Sequence, residues 1–183
     1  MKVNIIGALF VTLVCFAVLK LASDDVGDQL LQKQQDGAIL AVLVMLNENQ
    51  IHLAKDFYQR TSNEKLQNFA VLVHQECSEN LKYIRHLSKE IDTDTIDAAV
   101  ALQLKKTGKK QLDLLTYKKG ANLDKAYLQI SIDNFIEARA VFAEYLRFGV
   151  TNSLLRQNLQ ATRERFNSYL HEAMLLKNEL EVN

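Results

Sequence analysis

From residue 37 onward the apolar positions of this chain recur mostly in steps of three and four, the spacing of helices that each bury one stripe. The first run is Leu40, Val44, Asn47, Ile51, Ala54 and Tyr58. The second is Leu66, Phe69, Val73, Cys77, Asn80, Ile84, Leu87 and Ile91. Two or three residues separate these runs, which predicts an antiparallel hairpin, and "TSNE" at 61–64 reads as a capping box for the second helix. A third run holds Leu123, Tyr127, Ile130, Asn134, Ala138, Val141, Tyr145 and Phe148, with Gly149 as its stop. The last holds Leu155, Leu159, Thr162, Phe166, Tyr169, Ala173, Leu176 and Leu180, a strict heptad that Thr151 or Asn152 can cap.

Between the two pairs lies "DTDTIDAAVALQLKKTGKKQLDLLTYKKGAN", too long for a tight turn and helical only in its middle. It is expected as a crossover with one or two short helices. Two antiparallel hairpins joined by a long crossover predict an all-α fold, a four-helix bundle of the ferritin-like kind. The absence of proline and the six glycines agree with long helices and disfavour an all-β fold.

The N-terminal residues follow another pattern. An apolar-leaning run from Ile5 to Leu19 follows one lysine, and Ala22, Ser23 and two acids come after it. Residues 1–23 are expected to be a signal peptide or, if uncleaved, an N-terminal membrane anchor. Residues 24–36 read as a flexible lead-in and 37–183 as the bundle. The nine apolar residues "AILAVLVML" are too few for a second span and are followed at once by Asn47, Glu48, Asn49 and Gln50. The expected location is periplasmic or outer-membrane associated, or inner-membrane anchored through the N-terminus.

Formal net charge is zero, and without residues 1–23, which carry Lys2 and Lys20 and no acid, 20 bases face 22 acids. That balance gives no reason to expect nucleic acid. Six lysines cluster between Lys105 and Lys119, the ordinary reading being a solvated face and the other an anionic membrane contact. If Cys15 leaves with a signal, Cys77 is the lone cysteine and no internal disulfide can form.

"FAVLVHQECSEN" gathers metal-ligand residue types, yet successive helical residues stand about 100° apart. His74 and Glu76 therefore point in nearly opposed directions. Di-metal bundles use a Glu-x-x-His pair on each of two helices, and no such pair occurs here. Glu48 with His52 and His86 with Glu90 are spaced four apart; His86 is expected in an ion pair, His52 partly buried and His171 exposed. Glu48, His52, His74 and Glu76 remain weak metal candidates, and no cofactor is expected. The stripes instead carry Asn47, Cys77, Asn80, Asn134, Thr162 and Tyr169, which suggests a buried polar layer that fixes helix register. Counting from the turns puts Asn47 level with Cys77, and Asn134 with Phe166. The other reading places one or two of these asparagines at a bundle end or against the crossover.

From about Gly37 to Leu180 the order of features resembles a bacterial family of exported ferritin-like proteins of unknown function, domain of unknown function 4142. The resemblance rests on "NEKLQNFAVLV", "LDKAYL" at 123–128 and "YLHEAMLL". It implies an Asp-His pair where Glu76 and Cys77 stand, histidines in the slots of Phe135 and Tyr169, and an acid near Asn47. Apart from Glu76, those slots hold different chemistry here.

The expected function is therefore a non-enzymatic envelope protein, an interaction or assembly subunit with an envelope protein partner. Membrane contact would run through residues 5–19 or the Lys105–Lys119 segment. The alternative is a ferritin-like metal protein with a redox or storage role. A ligand-sensing bundle ranks last, since no second membrane segment follows the domain. Nucleophilic catalysis has no support, because Cys77 has no histidine on its own face.

Overall fold

The computed structural model describes residues 25–182, and within them all regular structure is helical. The Ile5–Leu19 run, and with it the signal or anchor reading, lies outside the described residues. The helices are α1 (Asp25–Tyr58), α2 (Glu64–Glu90), α3 (Ala99–Thr116), α4 (Gly120–Glu144) and α5 (Ser153–Val182). A π-helical turn, Tyr145–Gly149, finishes α4. The segment read as a lead-in forms the first, mostly exposed turns of α1, with Leu30 and Leu31 facing outward.

α1 with α2 and α4 with α5 are the two hairpins, and α2 packs on α5 to close a four-helix ring. α3 is the crossover: one helix of 18 residues that runs beside α1 and returns the chain to the α1–α2 turn. Consequently α1 and α5 run one way and α2 and α4 the other. Because α1 touches α2, α3 and α4, it is covered on most sides. Ile39, Leu40, Val42, Leu43, Leu46, Leu53, Ala54 and Phe57 are all buried. By length and composition α1 could cross a bilayer, but the protein itself covers those apolar residues.

The stripes of α2 and α5 are buried at nearly every expected position. Those of α1 and α4 are rotated from expectation. On α1, Val44, Ile51 and Tyr58 are only half-buried, while Leu43, Leu46, Gln50, Leu53 and Phe57 face inward. On α4 the core face is Leu123, Tyr127, Leu128, Ser131, Phe135, Ala138 and Phe142, and Phe148 is exposed. The π turn explains Phe148: widening the last turn swings it out, where the Arg147 guanidinium lies over its ring at 4.5 Å.

Local chemistry sets the helix ends. Asn63, not Thr61, caps α2, its side chain accepting from the Leu66 N–H at 3.2 Å. Thr61 instead donates to Asp124 of α4 at 2.7 Å, so the capping-box expectation fails by two residues. Arg60 in the same turn donates to the carbonyls of Leu115 (2.9 Å), Thr116 (3.2 Å) and Lys118 (2.7 Å), capping the C-terminus of α3. Asn152 caps α5, accepting from Leu154 and Leu155. Arg156 donates to the carbonyls of Leu146 and Val150 and ties down the π turn.

Two close approaches require glycine. A Cβ on Gly37 would sit 2.6 Å from the Asp94 carbonyl oxygen, where the crossover backbone lies on α1. A Cβ on Gly108 would collide with the Asn49 side chain, whose amide reaches over α3 to the Leu104 carbonyl at 2.9 Å.

Candidate functional site

Two polar groupings lie inside the ring, and a groove opens on its outside between α2 and α5. The first grouping is an amide layer. Asn80 of α2 is its hub: its Nδ2 donates to Asn47 Oδ1 of α1 and to Thr162 Oγ1 of α5, each at 3.1 Å. Its Oδ1 accepts from Asn158 Nδ2 at 3.1 Å. Asn47 donates onward to the Leu43 carbonyl at 2.8 Å. All four residues are buried. Asn47 is thus level with Asn80, not with Cys77, because the turn centres later than the capping-box reading placed it. Asn134 lies outside this layer. It is half-buried and exchanges two hydrogen bonds with Gln111 of α3, so it faces the crossover.

The second grouping holds Cys77, Tyr127, Ser131 and Tyr169. The Tyr169 hydroxyl donates to Glu76 Oε2 at 2.6 Å, and Arg165 Nε stands 3.6 Å from the same oxygen. Burial pushes the Cys77 thiol up to about 12, with the nearby Arg165 charge opposing. Such a thiol stays protonated and inert near neutral pH. Tyr127 is fully enclosed and stacks on Phe57 with ring centroids 3.9 Å apart. Its hydroxyl and that of Ser131 are buried without a formed hydrogen bond, and burial raises the Tyr127 phenol above its ordinary range.

Of the slots named by the family resemblance, those of Glu76, Cys77, Phe135 and Tyr169 come together, while Asn47 lies in the amide layer. Phe135 packs on Tyr169 at 5.5 Å, and Tyr169 reaches Glu76 beside Cys77. Here, however, the cluster is a phenyl, a phenol, a protonated thiol and one carboxylate. A two-metal centre needs carboxylates from all four helices, so this donor set does not fit one. Among the described residues, no three His, Cys, Asp or Glu side chains converge.

The four weak candidates are dispersed. Glu48 pairs with Arg85 at 3.4 Å. His52 is exposed rather than partly buried. His74 packs edge-on against Tyr58, and Glu76 belongs to the Tyr169 contact. His86 stands 3.8 Å from Glu90, and His171 is exposed.

Where α2 and α5 face each other, an open groove of about 850 Å³ runs along the surface. Phe69, Tyr169 and Leu176 form its floor and Leu72, 44 % exposed, projects from one wall. Glu76, Glu164, Glu172 and Glu179 stand along it against Lys65 and Arg165. Lys65 pairs with Glu179 at 2.6 Å and Arg165 with Glu76. Glu164 and Glu172 have no ion-pair partner among the described residues. Sequence reasoning missed this groove, and also Asn158. Asn158 sits one turn before Thr162 on the same face, and that spacing is the signal that could have found it.

No curated protein matches the sequence. Among solved structures the fold is similar to that of a Streptomyces coelicolor protein described as "putative secreted protein DUF305". The TM-score is 0.70 and the identity 11 %, over 81 % of this chain and 95 % of that one. At that identity the likeness concerns the fold alone. The family profile for the domain of unknown function DUF4142 matches residues 22–176, so the chain belongs to that family.

Proposed function

We propose that this protein is a non-enzymatic interaction or assembly module of the cell envelope, and that the α2–α5 groove receives a basic amphipathic helix from a protein partner. The groove carries this reading: an apolar floor rimmed by two glutamates with no ion-pair partner among the described residues. Helix-in-groove recognition uses an apolar stripe for affinity and rim charges for register and specificity. Lysines or arginines on such a helix would complete the pairing that Glu164 and Glu172 lack. Export is supported by the apolar run at 5–19 and by the fold shared with a protein described as secreted. An interior of amides, aromatic rings and an inert thiol favours a scaffold over an active site.

The test places a photo-crosslinking residue at Leu72 or Ser168, both lining the groove and exposed, in intact cells, with Arg139 on α4 as the control position. The groove positions should give one discrete protein adduct that Arg139 does not. With the partner purified, Glu164→Lys together with Glu172→Lys should weaken binding by about tenfold or more. Adducts that are the same from every position, or affinity indifferent to the charge reversal, would refute the reading.

A further inference from the structure

The inner face of α3 (Ala101, Leu104, Gly108 and Leu115) is buried against the bundle. Its outer face combines two features that rarely share a merely solvated helix. Leu102 is 48 %, Leu114 59 % and Tyr117 88 % exposed. Interleaved with them, Lys105, Lys106, Lys109 and Lys110 are exposed and have no ion-pair partner among the described residues. At 100° per residue, Leu102, Lys106, Lys110 and Tyr117 fall on one outward stripe, with Lys109 just beside it. From Lys105 to Lys119 there are six lysines and one acid, Asp113, a local net charge of +5 (six minus one) in a chain whose total is zero.

We propose that this outer face of α3 is a docking surface for an anionic lipid bilayer. The lysine ammonium groups would meet lipid phosphates while their methylene stems and the Leu102, Leu114 and Tyr117 side chains enter the headgroup region. Tyrosine suits that boundary, having an apolar ring and a polar tip. The occupant is assigned by charge complementarity and by the protruding apolar side chains, which a soluble anion would leave in water. The surface is separate from the α2–α5 groove, so it can hold the protein at a membrane while the groove remains open to a partner.

The sequence has no tryptophan, so Tyr117→Trp introduces a single reporter at the most exposed point of the face. The full chain carrying it is mixed with phosphatidylcholine vesicles and with vesicles that also contain phosphatidylglycerol, each with and without brominated acyl chains. The apolar run at 5–19 can bring the chain to either vesicle, whereas the reporter registers α3 alone. A blue shift and bromine quenching are expected with phosphatidylglycerol only, and both should be reversed by salt. Replacing the four α3 lysines with glutamate should abolish the response. Removing them singly should weaken it by about fivefold each. Circular dichroism of the four-fold variant should match the parent, since none of those lysines packs in the core. No shift on the anionic vesicles, an equal shift on phosphatidylcholine, or an unchanged shift after lysine replacement overturns the proposal.

Discussion

The amide layer, on α1, α2 and α5, and the thiol–phenol cluster, on α2, α4 and α5, meet burial in different ways. In the amide layer the side chains bond one another: Asn80 uses both N–H groups and its oxygen on three partners from α1 and α5, while Asn158 Oδ1 goes without one. In the cluster around Cys77 and Tyr127, aromatic packing does the holding and two hydroxyls go without partners. A hydrogen-bonded layer is satisfied only when the helices are at one relative height, so it specifies register. A stacked ring tolerates small slips and adds apolar burial instead. The two regions therefore divide the work, one fixing alignment and the other adding apolar burial to the core.

High pH should separate them most widely. The cluster contains titratable groups whose folded-state values are raised, while the amide layer contains none. Below the unfolded thiol's ordinary 9.0, Cys77 is protonated in both states and its contribution is complete. Between 9.0 and about 12 the folded state holds a proton that the unfolded state releases, so stability falls as pH rises. The slope is about 1.4 kcal/mol per pH unit for the thiol, and the raised Tyr127 phenol adds a similar slope above its ordinary 10.0. At two pH units above the thiol's ordinary value the thiol and the Tyr127 phenol together account for a loss of about 4 kcal/mol, read from urea midpoints, and the raised Tyr169 phenol at the rim adds to it. Cys77→Ala should flatten the first part of that fall. An unchanged slope in that variant would mean the thiol is hydrated in the folded protein.

Asn80→Leu should give the next largest effect, a loss of about 3 kcal/mol at neutral pH, because it strands Asn47 Oδ1 and Asn158 Nδ2 together. It should lower the whole stability–pH curve without changing its alkaline slope. A steeper slope would show that the two regions are coupled.

The legible part of this fold was set by how many neighbours each helix has. α2 and α5 bury a single stripe each, so spacing alone identifies their inward residues. α1 is covered by three helices, and apolar residues on several faces blur the direction of its stripe. For the candidate site, Asn47, Asn80 and Thr162 stand out in the sequence as polar residues in apolar stripes, but their mutual level does not. That level depends on where the hairpin turns. Asn63 as the cap, rather than Thr61, moves the partner of Asn47 from Cys77 to Asn80, three residues along α2. The groove between α2 and α5 was illegible because it depends on the separation of two helices distant in sequence.

At the rim of the cluster, Tyr169→Phe removes the phenol that donates to Glu76 at 2.6 Å while leaving the ring on Phe135 and Phe166. Glu76 is half-exposed and water can replace the phenol, so the loss should be about 1 kcal/mol in urea denaturation. A much larger loss would place this contact with the amide layer, as a bond that fixes register.

The smallest effect is the most discriminating. Tyr127→Phe deletes a hydroxyl that is fully buried with no formed hydrogen bond, and keeps the ring stacked on Phe57. Desolvating that hydroxyl opposes folding, and no bond in the folded state offsets it. Stability at neutral pH should therefore hold or rise by up to about 1 kcal/mol, and the alkaline slope above 10.0 should lessen by the Tyr127 share, leaving that of the raised Tyr169 phenol. Ser131, one turn further along α4, is the one group that could reverse this, since its hydroxyl is buried beside the phenol and equally unpaired. If Tyr127→Phe loses more than about 1 kcal/mol while Tyr127→Phe combined with Ser131→Ala loses no more, the two hydroxyls bond each other in solution. The cluster would then be a second hydrogen-bonded layer, and the division between alignment and packing would not hold.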